Sequence, residues 1–173
     1  MSALLAKAVA MALAKHPIMN ANYVTDAINY NENINVAMAV AMPDGGLITP
    51  VLQKADQTDL YSLSRSWKDL VPRAMEGKLK PDEYSTGTFT ISNLGMFGVS
   101  SFVSILPPEQ GCIMAVAAST PTAVLQKNGM IGMVKQMTVT LTCDHRHIYG
   151  PDAAKFLADL AELIETDMES LLY

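Results

Sequence analysis

The spacing of hydrophobic positions along the chain predicts three helices. Apolar residues recur with helical period over residues 3–15, 60–74 and 151–165. The first segment is apolar around most of its circumference, which predicts a buried helix, and it ends before Pro17 because a residue that precedes proline avoids helical angles. The third segment opens with Pro151 and Asp152, which are favoured in the first helical turn.

Other hydrophobic segments have the shorter period or the continuous apolar character of strands. These segments are residues 34–42, 47–52, 88–92, 111–118, 123–126, 131–134 and 136–142. Pro50 cannot donate to a strand ladder, so its segment should be bulged or lie at a sheet edge. Asn128-Gly129 predicts a tight hairpin turn. Strands and helices together predict an α+β domain, with a mixed sheet covered by helices.

Composition adds that this surface is unusually apolar. Half of the 173 residues are hydrophobic and 17% are charged, against roughly a quarter charged in ordinary domains. We therefore expect the chain to associate with other chains. The net charge of −5, with no clustered basic stretch, argues against a nucleic-acid partner. The apolar runs are too short for a transmembrane helix, and no signal peptide is evident, so no membrane partner is expected.

The cysteines and histidines do not form a metal-binding pattern. Cys112 and Cys143 lie in or beside predicted strands, which favours reduced, buried thiols of an intracellular protein. The three histidines are scattered relative to them, so no metal is expected.

His145 is the first candidate for chemistry. It lies between a predicted strand and a predicted helix, where a loop would present its imidazole, the group best suited to proton transfer near neutral pH. From position alone, a histidine that packs and hydrogen-bonds locally is the simpler interpretation. Asp144 and Arg146 are expected to hold the loop through ion pairs. His147 should face away from His145 and be structural or exposed.

Ser92 is the second candidate, at the end of another predicted strand. Serine is common at strand ends and turns, and no nucleophile elbow surrounds it. A hydroxyl that only donates a hydrogen bond to developing negative charge does not need such an elbow. Gly95 and Gly98 permit a tight loop beside it, and Asn93 could donate as well, although a turn role is favoured for Asn93.

The chain resembles a known family along nearly its whole length, most clearly in two motifs. The stretch Asp144-His145-Arg146-His147-Ile148-Tyr149-Gly150 resembles the D-H-R-x-x-D-G motif of the dihydrolipoamide acyltransferases, and Thr88-Phe89-Thr90-Ile91-Ser92-Asn93-Leu94-Gly95 resembles their T-F-T-I-S-x-L-G motif. Tyr149 replaces the usual aspartate. That tyrosine, together with Leu106-Pro107-Pro108-x-Gln110-Gly111, is most similar to the plastid and cyanobacterial branch of the pyruvate dehydrogenase acetyltransferases.

The resemblance implies a fold, an assembly and a location. The fold would be the layered chloramphenicol-acetyltransferase-like fold. Residues 1–173 would be the acyltransferase catalytic core, lacking its N-terminal helix and strand, with no lipoyl or subunit-binding domain. Homotrimers would assemble into a cubic or icosahedral core in the plastid stroma. The partners would be the pyruvate dehydrogenase and dihydrolipoamide dehydrogenase components.

The resemblance also implies a reaction. An acetyl group would pass from acetyl-dihydrolipoamide to coenzyme A, which is a substrate, while the lipoyl group comes from a domain outside this chain and no metal takes part. His145 would be the general base, and Ser92 of a neighbouring subunit would stabilise the oxyanion. The residues expected to support the site are Asp144, Arg146, Tyr149, Gly150 and Asn93. A succinyl or branched-chain acyl group, or an inactive core that only displays partner subunits, remain the alternatives.

Overall fold

A computed structural model describes residues 2–126 and 129–172. The helices in this part of the chain are α1 (Ser2–Lys15), α2 (Leu60–Met75), α3 (Asp82–Ser85) and α4 (Gly150–Glu165). Short 3₁₀ turns cover Pro17–Asn20, Gly95–Phe97 and Met168–Leu172. All three predicted helices are therefore confirmed, and α2 continues through Pro72.

Within the described residues, the strands form one central sheet and three small two-stranded sheets. In chain order they are β1 (Ala21–Val24), β2 (Ala27–Tyr30), β3 (Val36–Met38), β4 (Val40–Ala41), β5 (Leu47–Ile48), β6 (Val51–Leu52), β7 (Phe89–Asn93), β8 (Cys112–Val116), β9 (Thr120–Leu125), β10 (Ile131–Gln136) and β11 (Val139–Cys143). The central sheet has the order β11-β8-β7-β3-β6. Its inner pairs, β8–β7 and β7–β3, are parallel and its outer pairs are antiparallel, so the predicted mixed sheet is confirmed.

The helices pack on one face of the central sheet. Alternation along β7 sends Phe89 and Ile91 into the core that the helices cover, and sends Thr90 and Ser92 to the opposite face. The small, apolar residues of α1 let this helix lie against α2, α4 and β3, and most of its side chains are buried. Ser92 therefore belongs to the face of the sheet away from the helices.

One buried polar residue joins α1 to the loop before α2. Lys7 is 1% exposed, and its Nζ donates to the carbonyl oxygens of Asp56 at 2.8 Å and Thr58 at 2.9 Å. Burial lowers the pKa of Lys7, against the opposing effect of nearby carboxylates. These two bonds satisfy the buried ammonium group and fix the loop over the N-terminal helix.

The strand predicted over residues 34–42 is divided in the structure. It breaks at Ala39, whose N–H donates to the Ile91 carbonyl, so that β3 belongs to the central sheet while β4 pairs with β5. Its partner over residues 47–52 is interrupted at Pro50, and the second half, β6, is an edge strand of the central sheet, as the proline predicted. Apolar residues lie on both sides of each break, so the sequence pattern does not reveal that the chain passes from one sheet to another there.

A second difference is the β1–β2 hairpin, which the hydrophobic pattern did not predict. Each of its strands carries one asparagine, and Thr25 and Asp26 turn the chain with positive φ angles of 50° and 61°. Side-chain amides hold it in place: Asn29 donates to the Asn22 side chain at 3.0 Å, and Asn31 donates to the Asn20 carbonyl at 2.6 Å. Hydrogen bonds, and not apolar periodicity, define this hairpin.

The hairpin of β9 and β10 is confirmed, with longer strands than predicted, and β10 takes Gln136 from the segment that was expected to start the last strand. Of the predicted turn, Gly129 has a φ of +81°, while Asn128 lies outside the described residues. Large apolar side chains are exposed on this hairpin and on the segment after β7. The most exposed are Met96, Phe97, Val103, Ile105, Leu125 and Ile131.

Candidate active site

A charged pair fixes the first residues of the loop between β11 and α4. Asp144 N–H donates to the Gly111 carbonyl at 2.8 Å, and its carboxylate accepts from Arg146 Nη2 at 2.6 Å and Nε at 2.9 Å. The Arg146 guanidinium lowers the pKa of Asp144 to about 2. Asp144 is thus a carboxylate at neutral pH, so it can orient the loop but cannot supply a proton.

An aromatic side chain from β1 contacts both residues that follow the loop histidine. The Arg146 guanidinium carbon is 4.4 Å from the centre of the Tyr23 ring, which stacks on His147 with ring centres 6.4 Å apart. His147 is buried, and its Nε2–H donates to the Ala21 carbonyl at 3.2 Å. His147 is therefore structural, and Tyr23 attaches the loop to β1.

A glycine makes this close contact possible. A Cβ atom on Gly111 would overlap the Ala21 carbonyl oxygen, and it would lie 3.1 Å from His147 Nε2. Any side chain there would push β1 away from the start of β8. The absence of a side chain at this position thus lets β1, β8 and the loop meet.

His145 itself is exposed. Its ring meets the Tyr149 ring edge to face, with centres 5.4 Å apart. Tyr149 is the residue before α4, and its N–H donates to the Asp152 carboxylate at 3.3 Å, while Gly150 begins the helix. The start of α4 therefore holds Tyr149, and Tyr149 limits where the imidazole of His145 can turn.

Ser92 lines a cleft on the other face of the sheet. The cleft holds about 270 Å³, and its walls come from β7, β8, β5 and the segment of residues 102–107. Thr90 shares this face and donates to Gln110 Oε1 at 2.6 Å. Asn93 Oδ1 accepts from Gly95 N–H at 2.8 Å, which is the turn role. Gly98 has a φ of +71°, which few other residues tolerate.

The strand register places His145 and Ser92 at opposite ends of the sheet. Ser92 pairs with Ala115 near the end of β8, whereas Cys143 pairs with Cys112 at its start. Three residues at about 3.3 Å and two strand spacings of about 4.8 Å put Ser92 and Cys143 roughly 14 Å apart, and His145 lies beyond Cys143. A proton transfer needs about 3 Å, so one chain does not bring the two side chains together.

The described residues contain no group of three or more histidine, cysteine, aspartate and glutamate side chains that could hold a metal ion. Within the same residues, no helix is both long and apolar enough to cross a membrane. The contacts of the His145 loop are an ion pair, ring contacts and backbone hydrogen bonds.

The fold defined by this sheet and these helices is that of the chloramphenicol acetyltransferases. A solved chloramphenicol acetyltransferase matches with a TM-score of 0.62 at 13% identity. The match covers 95% of this chain and 77% of that protein. The predicted chloramphenicol-acetyltransferase-like fold is thereby confirmed.

The whole chain, residues 1–173, matches the model of the 2-oxoacid dehydrogenases acyltransferase catalytic domain, and the chain belongs to this family. Among its relatives is the chloroplastic dihydrolipoyllysine-residue acetyltransferase component 5 of the pyruvate dehydrogenase complex of Arabidopsis thaliana, 61% identical over 95% of this chain. Component 4 from the same plant is 56% identical over 95% of the chain. The chain spans 36% and 34% of the length of these two relatives.

Two solved structures are similar across almost the entire chain. A probable dihydrolipoamide acetyltransferase from Listeria monocytogenes has a TM-score of 0.92 at 31% identity, with 99% of this chain and 74% of that chain covered. The dihydrolipoamide acetyltransferase of Azotobacter vinelandii, studied for a serine, a histidine and an asparagine in its catalytic mechanism, has a TM-score of 0.92 at 29% identity, with 99% and 70% covered.

Proposed function

We propose that this chain transfers an acetyl group from acetyl-dihydrolipoamide to coenzyme A, as the catalytic core of a pyruvate dehydrogenase complex. The observation that carries the proposal is the exposed His145, whose ring contacts Tyr149 on a loop that the Asp144–Arg146 ion pair fixes. Relatives at 61% and 56% identity are acetyltransferase components of that complex, and both are chloroplastic, which favours the plastid stroma.

His145 acts as general base in this reaction. A coenzyme A thiol is mostly protonated at neutral pH, so the imidazole removes its proton as the sulfur attacks the thioester carbonyl. The carbonyl oxygen gains negative charge, and the Ser92 hydroxyl donates a hydrogen bond to it. The tetrahedral intermediate then collapses, dihydrolipoamide leaves with a proton from the imidazolium, and acetyl coenzyme A is formed.

The similarity to the Azotobacter enzyme supports the same pair of residues. The catalytic study of that enzyme concerned a serine, a histidine and an asparagine four positions after the histidine, and Tyr149 follows His145 by the same interval. Tyrosine keeps one hydrogen-bonding group, its hydroxyl, at this place. Tyr149 therefore orients the imidazole through ring contact and its position before α4.

Two copies of the chain form each complete site. Because Ser92 and Cys143 of one chain lie roughly 14 Å apart, we infer that His145 of one copy meets the Ser92 cleft of its neighbour. The apolar side chains around that cleft, with Ile105 at 91% and Val103 at 73% exposure, offer the neighbour a surface to cover.

Trimers built this way assemble further into the large core. The pyruvate dehydrogenase and dihydrolipoamide dehydrogenase components are its partners, and a lipoyl domain outside these residues delivers the substrate.

The test measures acetyl transfer between acetyl coenzyme A and dihydrolipoamide, with sedimentation of the same sample. We expect turnover in an assembled species, and loss of turnover in His145→Ala by at least about a hundred-fold with assembly retained, as for the removal of a general base. Preference for succinyl or branched-chain thioesters would reassign the acyl group. Assembly without any acyl transfer would make the chain a structural core.

A further inference from the structure

The two cysteines of the chain meet across the central sheet, directly before the His145 loop. We propose that Cys112 and Cys143 form an oxidation site, at which hydrogen peroxide converts the two thiols into a disulfide within the chain. The sequence contains two cysteines, so a disulfide inside one chain has a single possible pairing. Both are free thiols in the structure.

The backbone already holds the pair in a position that allows a disulfide. Cys143 on β11 is the direct partner of Cys112 on the antiparallel strand β8, and their sulfur atoms are 3.4 Å apart. Directly opposed residues have Cα atoms about 4.5–5.5 Å apart, inside the range of about 4.4–6.8 Å that disulfides span. A bond of about 2.05 Å thus requires the sulfur atoms to approach by about 1.4 Å, without re-pairing of the strands.

The two thiols differ in reactivity. Cys112 is fully buried in the core, while Cys143 is half-buried on β11, at the edge of the sheet. The Cys112 S–H donates to the sulfur of Cys143, and this bond lowers the pKa of Cys143. The same bond, together with burial, raises the pKa of Cys112. Cys143 is therefore the cysteine that reacts first with an oxidant, as its thiolate.

The oxidation of the two thiols to a disulfide proceeds in two steps. The Cys143 thiolate attacks one oxygen of hydrogen peroxide, the O–O bond breaks, hydroxide leaves and Cys143 becomes a sulfenic acid. The Cys112 sulfur then attacks the Cys143 sulfur, the S–O bond breaks, and water leaves with the proton of Cys112. Two thiols lose two electrons, and one peroxide becomes two waters once the hydroxide takes up the proton that Cys143 released.

The disulfide would act on the adjacent loop. Asp144 follows Cys143 and already donates to the Gly111 carbonyl, the residue before Cys112, so the cross-link draws together two strands that meet at the start of the loop. His145 is two residues from Cys143. A displacement of about 1 Å can cost about a hundred-fold in turnover, so we expect oxidation to lower acyl transfer at least ten-fold, an effect that rests on the proposed function.

The first experiment does not depend on catalysis. The assembled protein is treated with hydrogen peroxide, and its free thiols and intact mass are measured before and after reduction with dithiothreitol. We expect both thiols to disappear, the mass to fall by two hydrogen atoms, and both changes to reverse. The control, Cys112→Ala, should instead gain oxygen on Cys143. Persistent thiols, oxygen gain without hydrogen loss in the wild-type chain, or disulfides between chains would overturn the proposal.

The second experiment tests the effect on the loop in the same samples. Hydrogen exchange of peptides that cover residues 144–149 should differ between the reduced and disulfide forms, and acyl transfer should fall and recover with dithiothreitol. A disulfide that changes neither loop exchange nor turnover would refute the coupling. If the reduced protein shows no turnover, the proposed function fails, while mass and hydrogen exchange still decide this inference.

Discussion

At the scale of single residues, most of the candidate polar side chains are already engaged in hydrogen bonds or buried. Asp144 has its carboxylate occupied by Arg146, His147 is buried against Ala21, and Asn93 is occupied by its own turn. His145 is exposed, and its ring contacts the Tyr149 ring. His145 is therefore the residue of this loop that we propose as the general base.

Ser92→Ala tests the oxyanion role. We expect turnover to fall by roughly a hundred-fold, the usual result of removing one hydrogen-bond donor to an oxyanion. The Michaelis constant for coenzyme A should change little, because the hydroxyl acts mainly in the transition state. Steady-state kinetics measure both, and Ser66→Ala on the exposed face of α2 is the matched control. A large rise in the Michaelis constant at unchanged turnover would make Ser92 a binding residue.

Tyr149→Phe tests whether the tyrosine takes part in the chemistry. The ring that contacts His145 is kept, so we expect at least about a tenth of the activity, a rise of no more than roughly 1.4 kcal/mol in the barrier. The pH–rate profile should keep a limb with a histidine-like pKa. A loss as large as that of His145→Ala would instead require a third catalytic group.

At the scale of elements, β1 and the start of β8 position the loop that follows β11. The link is the Tyr23 ring, which contacts Arg146 and His147, together with the Ala21 carbonyl, which accepts from His147. Tyr23→Ala should lower turnover by about ten-fold or more while the Michaelis constants stay similar, because the loop loses its lateral contact. Tyr23→Phe keeps the ring and should restore activity. Equal losses in both variants would show that the ring contacts do not position the loop.

A second pair of elements, α2 and α3, is joined by an ion pair that predicts a pH dependence. Arg73 donates to Glu83 at 2.6 Å and 2.8 Å, which lowers the pKa of Glu83 from 4.5 to about 2. A carboxyl group whose pKa is lower in the folded state stabilises the fold at pH values above its unfolded-state pKa. That stabilisation is lost as the pH falls toward the folded-state pKa.

Urea unfolding of Glu83→Gln measures this contribution. The variant should be less stable than wild type at neutral pH, and the difference should shrink as the pH falls from 4.5 to about 2. A difference that stays constant over this interval would mean that the charge of Glu83 does not stabilise the fold.

The elements also show which parts of the fold were predictable from the sequence. The α1 helix and the interior strand β8 were predicted because burial leaves a continuous apolar signal. The β1–β2 hairpin was missed because asparagine side chains hold it through hydrogen bonds. His145 and Ser92 were found through their motifs, whereas Tyr23 has no local signal, since its role exists only where β1 meets the loop.

At the scale of the whole molecule, the composition and the register lead to the same conclusion. The chain exposes large apolar side chains around the Ser92 cleft and on the β9–β10 hairpin. The register keeps Ser92 away from His145. A chain that is half hydrophobic, and whose two proposed catalytic residues lie apart, is expected to associate with copies of itself. We therefore expect each site to take one residue from each of two chains.

Mixing two inactive variants tests that claim most directly. His145→Ala and Ser92→Ala chains are co-expressed with different tags, and mixed assemblies are purified through both tags. If each site combines His145 of one chain with Ser92 of another, random mixing of equal amounts leaves about a quarter of the sites intact, so activity should recover to about a quarter of the wild-type value. Mixed assemblies no more active than the parent variants would contradict the shared site.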